Sequence, residues 1–75
     1  MTLDKTPLGT TVRVVSLESS DVVALRLMEM GMVPGTAVRV IKSAPLGDPI
    51  QICIRNYHLA LRHNEARAIT VAICD

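Results

Sequence analysis

Seventy-five residues suffice for one small domain, expected to span residues 1–75, and 49% of them are apolar with a single aromatic, Tyr57. A chain of this size buries only ~60% of its unfolded surface, so its core must be aliphatic and must use most of the Val, Ile, Leu and Met present. A net charge of +1, without a block of like charges, excludes an electrostatic nucleic-acid footprint, and the missing aromatics exclude base-stacking and proline-peptide grooves.

The N-terminal Met1 to Lys5 carries no apolar run, so no signal peptide is expected, and no apolar stretch approaches a membrane span. The reading is a cytosolic chain without membrane insertion, in which Cys53 and Cys74 are free thiols.

Thr11 to Leu17 is rich in β-branched residues and predicts a first strand. Ser19-Ser20-Asp21 supplies an N-cap and an acidic first turn for a helix running to Met30, and Gly31 stands where a left-handed C-cap is wanted. Pro34-Gly35 then sets a tight turn. Thr36 to Ala44 alternates as a second strand, with Val38 and Val40 on one face and Arg39 on the other. Pro45-Leu46-Gly47-Asp48-Pro49 is a stiff loop with Leu46 at its tip.

Ile50, Ile52 and Ile54 alternate with Gln51, Cys53 and Arg55, and Tyr57, Leu59 and Leu61 alternate with His58, Ala60 and Arg62. A two-residue turn at Arg55-Asn56 places Ile54 opposite Tyr57, Ile52 opposite Leu59 and Ile50 opposite Leu61, all on one face. Asn56 is expected to absorb the positive φ of that turn. A short helical turn from Arg62 to Ala66 leads to a last strand through Ile69, Val71 and Ile73. Five short strands with one helix after the first predict a mainly β small barrel, because closure removes free edges.

Three groups of residues are candidates for function. On the helix, Val23, Leu27 and Met30 form a docking stripe, whereas Val22, Leu25 and Met28 fall among charged residues and mark either a contact surface or scattered exposed side chains. Met28, Met30 and Met32 read as core filling and adaptable interface rather than a soft-metal site. Leu46 and Asp48 in the loop are either recognition residues or part of a plain hairpin connection. Cys53 and His58 face each other across the hairpin and are weak metal candidates, since two ligands fall short of a zinc site; His63 and Cys74 contribute only if the fold brings them near. No physiological metal or other cofactor is expected, an adventitious or weak divalent ion at most. No phosphate loop or nucleophile elbow is present, so no enzymatic activity is expected.

The run Leu27-Met28-Glu29-Met30-Gly31-Met32-Val33-Pro34-Gly35 resembles the L-x-x-x-G-x-x-P-G signature of the ferrous iron transport protein A (FeoA) family. Pro45-Leu46-Gly47-Asp48-Pro49 is similar to that family's hairpin loop, and Leu59-Ala60-Leu61-Arg62, Glu65-Ala66 and Ile69 resemble its closing pattern. Asn56 departs from it where glycine is more usual. The resemblance covers the chain from about Thr10 onward and implies an SH3-like barrel. It also implies an accessory role in bacterial ferrous iron uptake, by binding the FeoB transporter, with the cytosolic GTPase domain as the expected partner. Val22, Leu25, Met28, Met32, Leu46 and Asp48 are the expected contact residues, and weak self-association through the same surfaces is a further expectation. The alternatives are a regulatory domain of the kind carried by iron-dependent repressors, and a small transition-metal-binding protein.

Overall fold

Alternating burial builds the sheet. The computed structural model describes residues 1–18 and 21–74, so the expected cap at Ser19-Ser20 lies outside the described residues. A single 3-10 turn, Leu3–Lys5, precedes strand β1 (Thr11–Leu17), helix α1 (Asp21–Glu29) and strand β2 (Ala37–Ser43). Strands β3 (Ile50–Ile54) and β4 (Tyr57–Leu61), helix α2 (His63–Arg67) and strand β5 (Ile69–Ile73) follow. All neighbouring strands are antiparallel, in the order β4-β3-β2-β1-β5. The expected element order is therefore observed, with boundaries shifted by a residue or two.

Val12 and Val14 of β1, Val38 and Val40 of β2, and the three isoleucines of β3 point inward and are buried. Leu61, Ile69 and Val71 complete the strand contribution, while Leu27 of α1 and Met32 just beyond it fill the centre with no exposed surface. The β3–β4 register is the expected one, Ile50 to Leu61, Ile52 to Leu59 and Ile54 to Tyr57.

Two departures have clear physical causes. The plain strand read at Thr11 to Leu17 and the alternation read at Thr36 to Ala44 are interrupted by register shifts between Val14 and Ser16 and between Val40 and Lys42. A bulge leaves one residue outside the alternation and reverses its phase, so Leu17 beyond the β1 bulge packs against the core, while Val15 and Ile41 keep the outward side of Arg13 and Arg39. In the hairpin turn the positive φ falls on Arg55, at +52°, and not on Asn56. One left-handed residue is enough when the first central position takes it.

The two ends of the sheet are managed differently. Thr2 bridges Thr70, and the Val71 N–H donates to the Met1 carbonyl at 2.8 Å, so the N-terminal segment covers the outer edge of β5. Among the described residues β4 and β5 are the two ends of the ladder and are not paired with one another.

Candidate functional site

Helix α1 ends in a hydrogen-bonded cap. The Gly31 N–H donates to the Met28 carbonyl at 3.0 Å, and the Met32 N–H to the Leu27 carbonyl at 3.0 Å. These are the two bonds of a Schellman motif, and Gly31 holds the left-handed φ, +100°, that it requires. The accompanying apolar contact is between Leu27 and Met32, both buried in the core. Two carbonyls just beyond are taken as well: the Tyr57 hydroxyl donates to Met30, and the Thr36 hydroxyl donates to Gly31 at 3.1 Å. The helix is thereby fastened to the β3–β4 hairpin, and its rotation about its own axis is set.

With Leu27 inward, Val22, Leu25 and Met28 are left outward, 78%, 55% and 42% exposed. Val23 and Met30 pack against the core as the docking stripe requires. Met32 does not belong to this surface: the C-cap turns its side chain into the centre of the barrel, and its expected role as a partner contact is withdrawn. Its neighbour Gly31 is what lets the chain reverse sharply enough to bury it.

The Pro45–Pro49 loop is held at its base. The Ala44 N–H donates to the Pro49 carbonyl at 3.0 Å, and the Gly47 N–H to the Ala44 carbonyl at 2.7 Å. Leu46 stands at the tip, 96% exposed. The Asp48 carboxylate accepts from the His63 N–H at 2.8 Å, so it satisfies the first turn of α2 and anchors the loop there. Asp48 thus has a structural partner, although it remains exposed.

Helix α2 also reaches α1. Glu65, 6% exposed, accepts from the Arg62 N–H at 2.9 Å and from the Arg26 guanidinium at 2.7 Å. One buried carboxylate therefore closes the N-terminus of α2 and ties it to α1, while Asp48 ties the same helix to the loop. The helix face and the loop tip are held in fixed relation through α2. Sequence reasoning missed this link: Arg62 at the cap position hides the usual Ser/Thr-x-x-Glu pattern, and no local signal reports Arg26 across the fold.

Cys53 and His58 are directly opposite in the β3–β4 register, as expected. The fold does not extend the pair. His63 lies 3.3 Å from Asp4 in the 3-10 turn, and the Cys74 N–H bonds the Thr11 carbonyl. Among the described residues no three His, Cys, Asp or Glu side chains gather into a metal-binding group. A structural zinc needs four protein ligands, which the described residues do not bring together. No helix among the described residues is long and apolar enough to cross a membrane.

The FeoA domain model matches residues 1–73. The chain belongs to the FeoA family. A FeoA protein from Chlorobium tepidum superimposes with a TM-score of 0.93 at 39% identity, over 100% of this chain and 71% of that one. The zinc-complexed FeoA of Stenotrophomonas maltophilia, described as an SH3 domain protein, gives 0.84 at 36% identity, over 96% of this chain and 89% of that one. The fold is accordingly the SH3-like one that the signature implied. A fusion of Fe(2+) transport protein A with the Fe(2+) transporter FeoB, from Porphyromonas gingivalis, is 34% identical over 97% of this chain. This chain spans only 9% of that relative's length. A manganese-dependent transcriptional repressor shares the fold alone, at 20% identity and a TM-score of 0.90 over 99% of this chain and 36% of that one. Membership places this FeoA chain in a family of small domains accessory to ferrous iron transport.

Proposed function

We propose that this FeoA chain is a cytosolic, non-catalytic binding module that docks on the cytosolic GTPase part of a FeoB transporter through the outward face of α1. The observation that carries the reading is the line of Val22, Leu25 and Met28, exposed on a helix whose orientation is locked by its cap. The relative that joins FeoA and FeoB in one polypeptide supports FeoB as partner, because fusion keeps two weakly associating parts at high effective concentration. Leu46 extends the contact, since its side chain is almost wholly in solvent and its loop is held to α2.

Burying the exposed parts of the three helix residues contributes about 4 kcal/mol. Association costs at least that much in lost translational and rotational freedom, so the isolated module binds weakly. The bound module acts by favouring one conformation of the GTPase part, which requires unequal affinity for its two states. No metal or other cofactor takes part.

The test is an NMR or pull-down titration of this chain against the cognate cytosolic FeoB domain, with and without guanine nucleotide. Val22→Ser, Leu25→Ser and Met28→Ser combined should weaken binding by about a hundredfold or more while the fold is retained. Undiminished binding by a folded triple variant refutes the helix-face reading.

A further inference from the structure

The outer face of the sheet carries a second surface that involves none of Val22, Leu25 or Met28. A shallow groove is lined by Val33, Pro34, Gly35, Thr36, Ala37 and Arg55. Arg13 approaches it from β1: it pairs with Ala37 in the β1–β2 register, and its Nη1 donates to the Gly35 carbonyl at 2.6 Å. Arg39 follows two residues along β2 on the same outward face, flanked by Thr11 and Cys53. All three arginines are exposed, and none forms an ion pair among the described residues. The carboxylates that are engaged lie elsewhere: Glu65 with Arg26, Asp4 with His63, and Asp48 on the start of α2.

We propose that this groove and its three arginines dock an acidic, extended segment of a protein partner, with one carboxylate over Ala37 between Arg13 and Arg55 and the carboxylate two residues along on Arg39. The spacing suits such a ligand. Ala37 and Arg39 are two apart on β2, and side chains two apart on an extended chain are separated by about 7 Å, the same step as on the strand beneath it. Arginine is also the cation that grips a carboxylate in two-pronged fashion, and Arg13 is already oriented by its bond to Gly35. The floor is low because Gly35 and Ala37 carry little or no side chain, so a peptide backbone can approach the sheet. Three placed arginines favour a peptide chain over a lipid surface, which rewards larger clusters of basic residues.

The test is a 15N-detected NMR titration of the full chain with the peptide acetyl-(Glu-Ala)3-amide, against acetyl-(Lys-Ala)3-amide and phosphatidylglycerol vesicles. Saturable shifts are expected at Arg13, Gly35, Ala37, Arg39 and Arg55 with the acidic peptide only. Raising salt from ~0.05 M to ~0.3 M should weaken them several-fold. The double variant Arg39→Gln, Arg55→Gln should bind roughly tenfold more weakly, with its spectrum otherwise native; Arg13 is left intact because it holds Gly35. Three results overturn the proposal: no saturable shifts on this face, unchanged affinity in the folded double variant, or preferential capture of vesicles through the same two arginines. Loss of FeoB docking leaves this test unaffected, because the peptide probe reports on the groove alone.

Discussion

Replacing Gly31 by alanine tests whether the C-cap of α1 orients the candidate contact face. At φ +100° a Cβ is strained by about 1–2 kcal/mol. The new Cβ would also stand 3.1 Å from the Tyr57 hydroxyl and 3.3 Å from the Ile54 Cδ1. Ile54 is fully buried and cannot retreat, whereas Tyr57 is 43% exposed and can. If Tyr57 moves, its bond to the Met30 carbonyl is lost, at a further cost of about 1 kcal/mol. The stiffer unfolded chain of the alanine variant returns less than ~1 kcal/mol. The net expectation is a loss of about 2 kcal/mol, or roughly 10–15 °C in Tm for a domain of this size. Thermal and urea unfolding followed by circular dichroism measure it.

Tyr57→Phe alone should cost about 1 kcal/mol, the net value of one hydrogen bond. In the double variant the hydroxyl is no longer in the way, so the two losses should sum to less than additivity by about 0.5–1 kcal/mol. A Gly31→Ala protein within ~0.5 kcal/mol of the parent, or strict additivity with Tyr57→Phe, would show that this contact does not set the helix.

Met32→Ala should cost about 2–5 kcal/mol in urea unfolding, as for a buried long side chain, whereas Met28→Ala on the exposed face should stay under ~1 kcal/mol; the reverse order would contradict the inward placement of Met32. Glu65→Ala should lower stability by about 2 kcal/mol, since it removes two charge-assisted bonds. Arg26→Ala should cost less than ~1 kcal/mol, because the Arg26 side chain is 65% exposed; equal losses in calorimetry would mean the ion pair, not the cap, dominates. Leu46→Ser should leave the Tm unchanged within the effect of ~0.5 kcal/mol and yet reduce FeoB-domain capture. Anaerobic titration with ferrous or zinc ion should give the same weak response in the parent and in the Cys53→Ser, His58→Ala variant; a tight one-to-one site lost in the variant would overturn the two-ligand reading.

Local periodicity and turn chemistry determined most of this fold. The Ile50–Leu61 hairpin was legible down to its register, because a period of two with apolar residues on one face allows only one pairing that buries them together. The end of α1 was legible for a similar reason, since Gly31 and Pro34-Gly35 admit few backbone paths. The outward position of Val22, Leu25 and Met28 followed from helical geometry once Leu27 was placed inward. The family signature lay in these same locally determined segments.

What the sequence left undecided depends on residues far apart in the chain. Thr11 to Leu17 read as one plain strand and Thr36 to Ala44 as an evenly alternating one, and only the pairing of β1 with β5 and of β2 with β3 shows the bulges that interrupt them. Met32 read as core filling or as a contact residue, and only the path of the cap shows that its side chain enters the core. Cys53 and His58 were correctly placed opposite one another, but whether further ligands join them depends on where His63 and Cys74 fall. The link from α1 through Glu65 and α2 to the Asp48 loop, and the gathering of Arg13, Arg39 and Arg55 around Ala37, are likewise products of packing. Neighbour preferences along a chain set its elements, whereas the side chains that meet across it are chosen by burial of the common core.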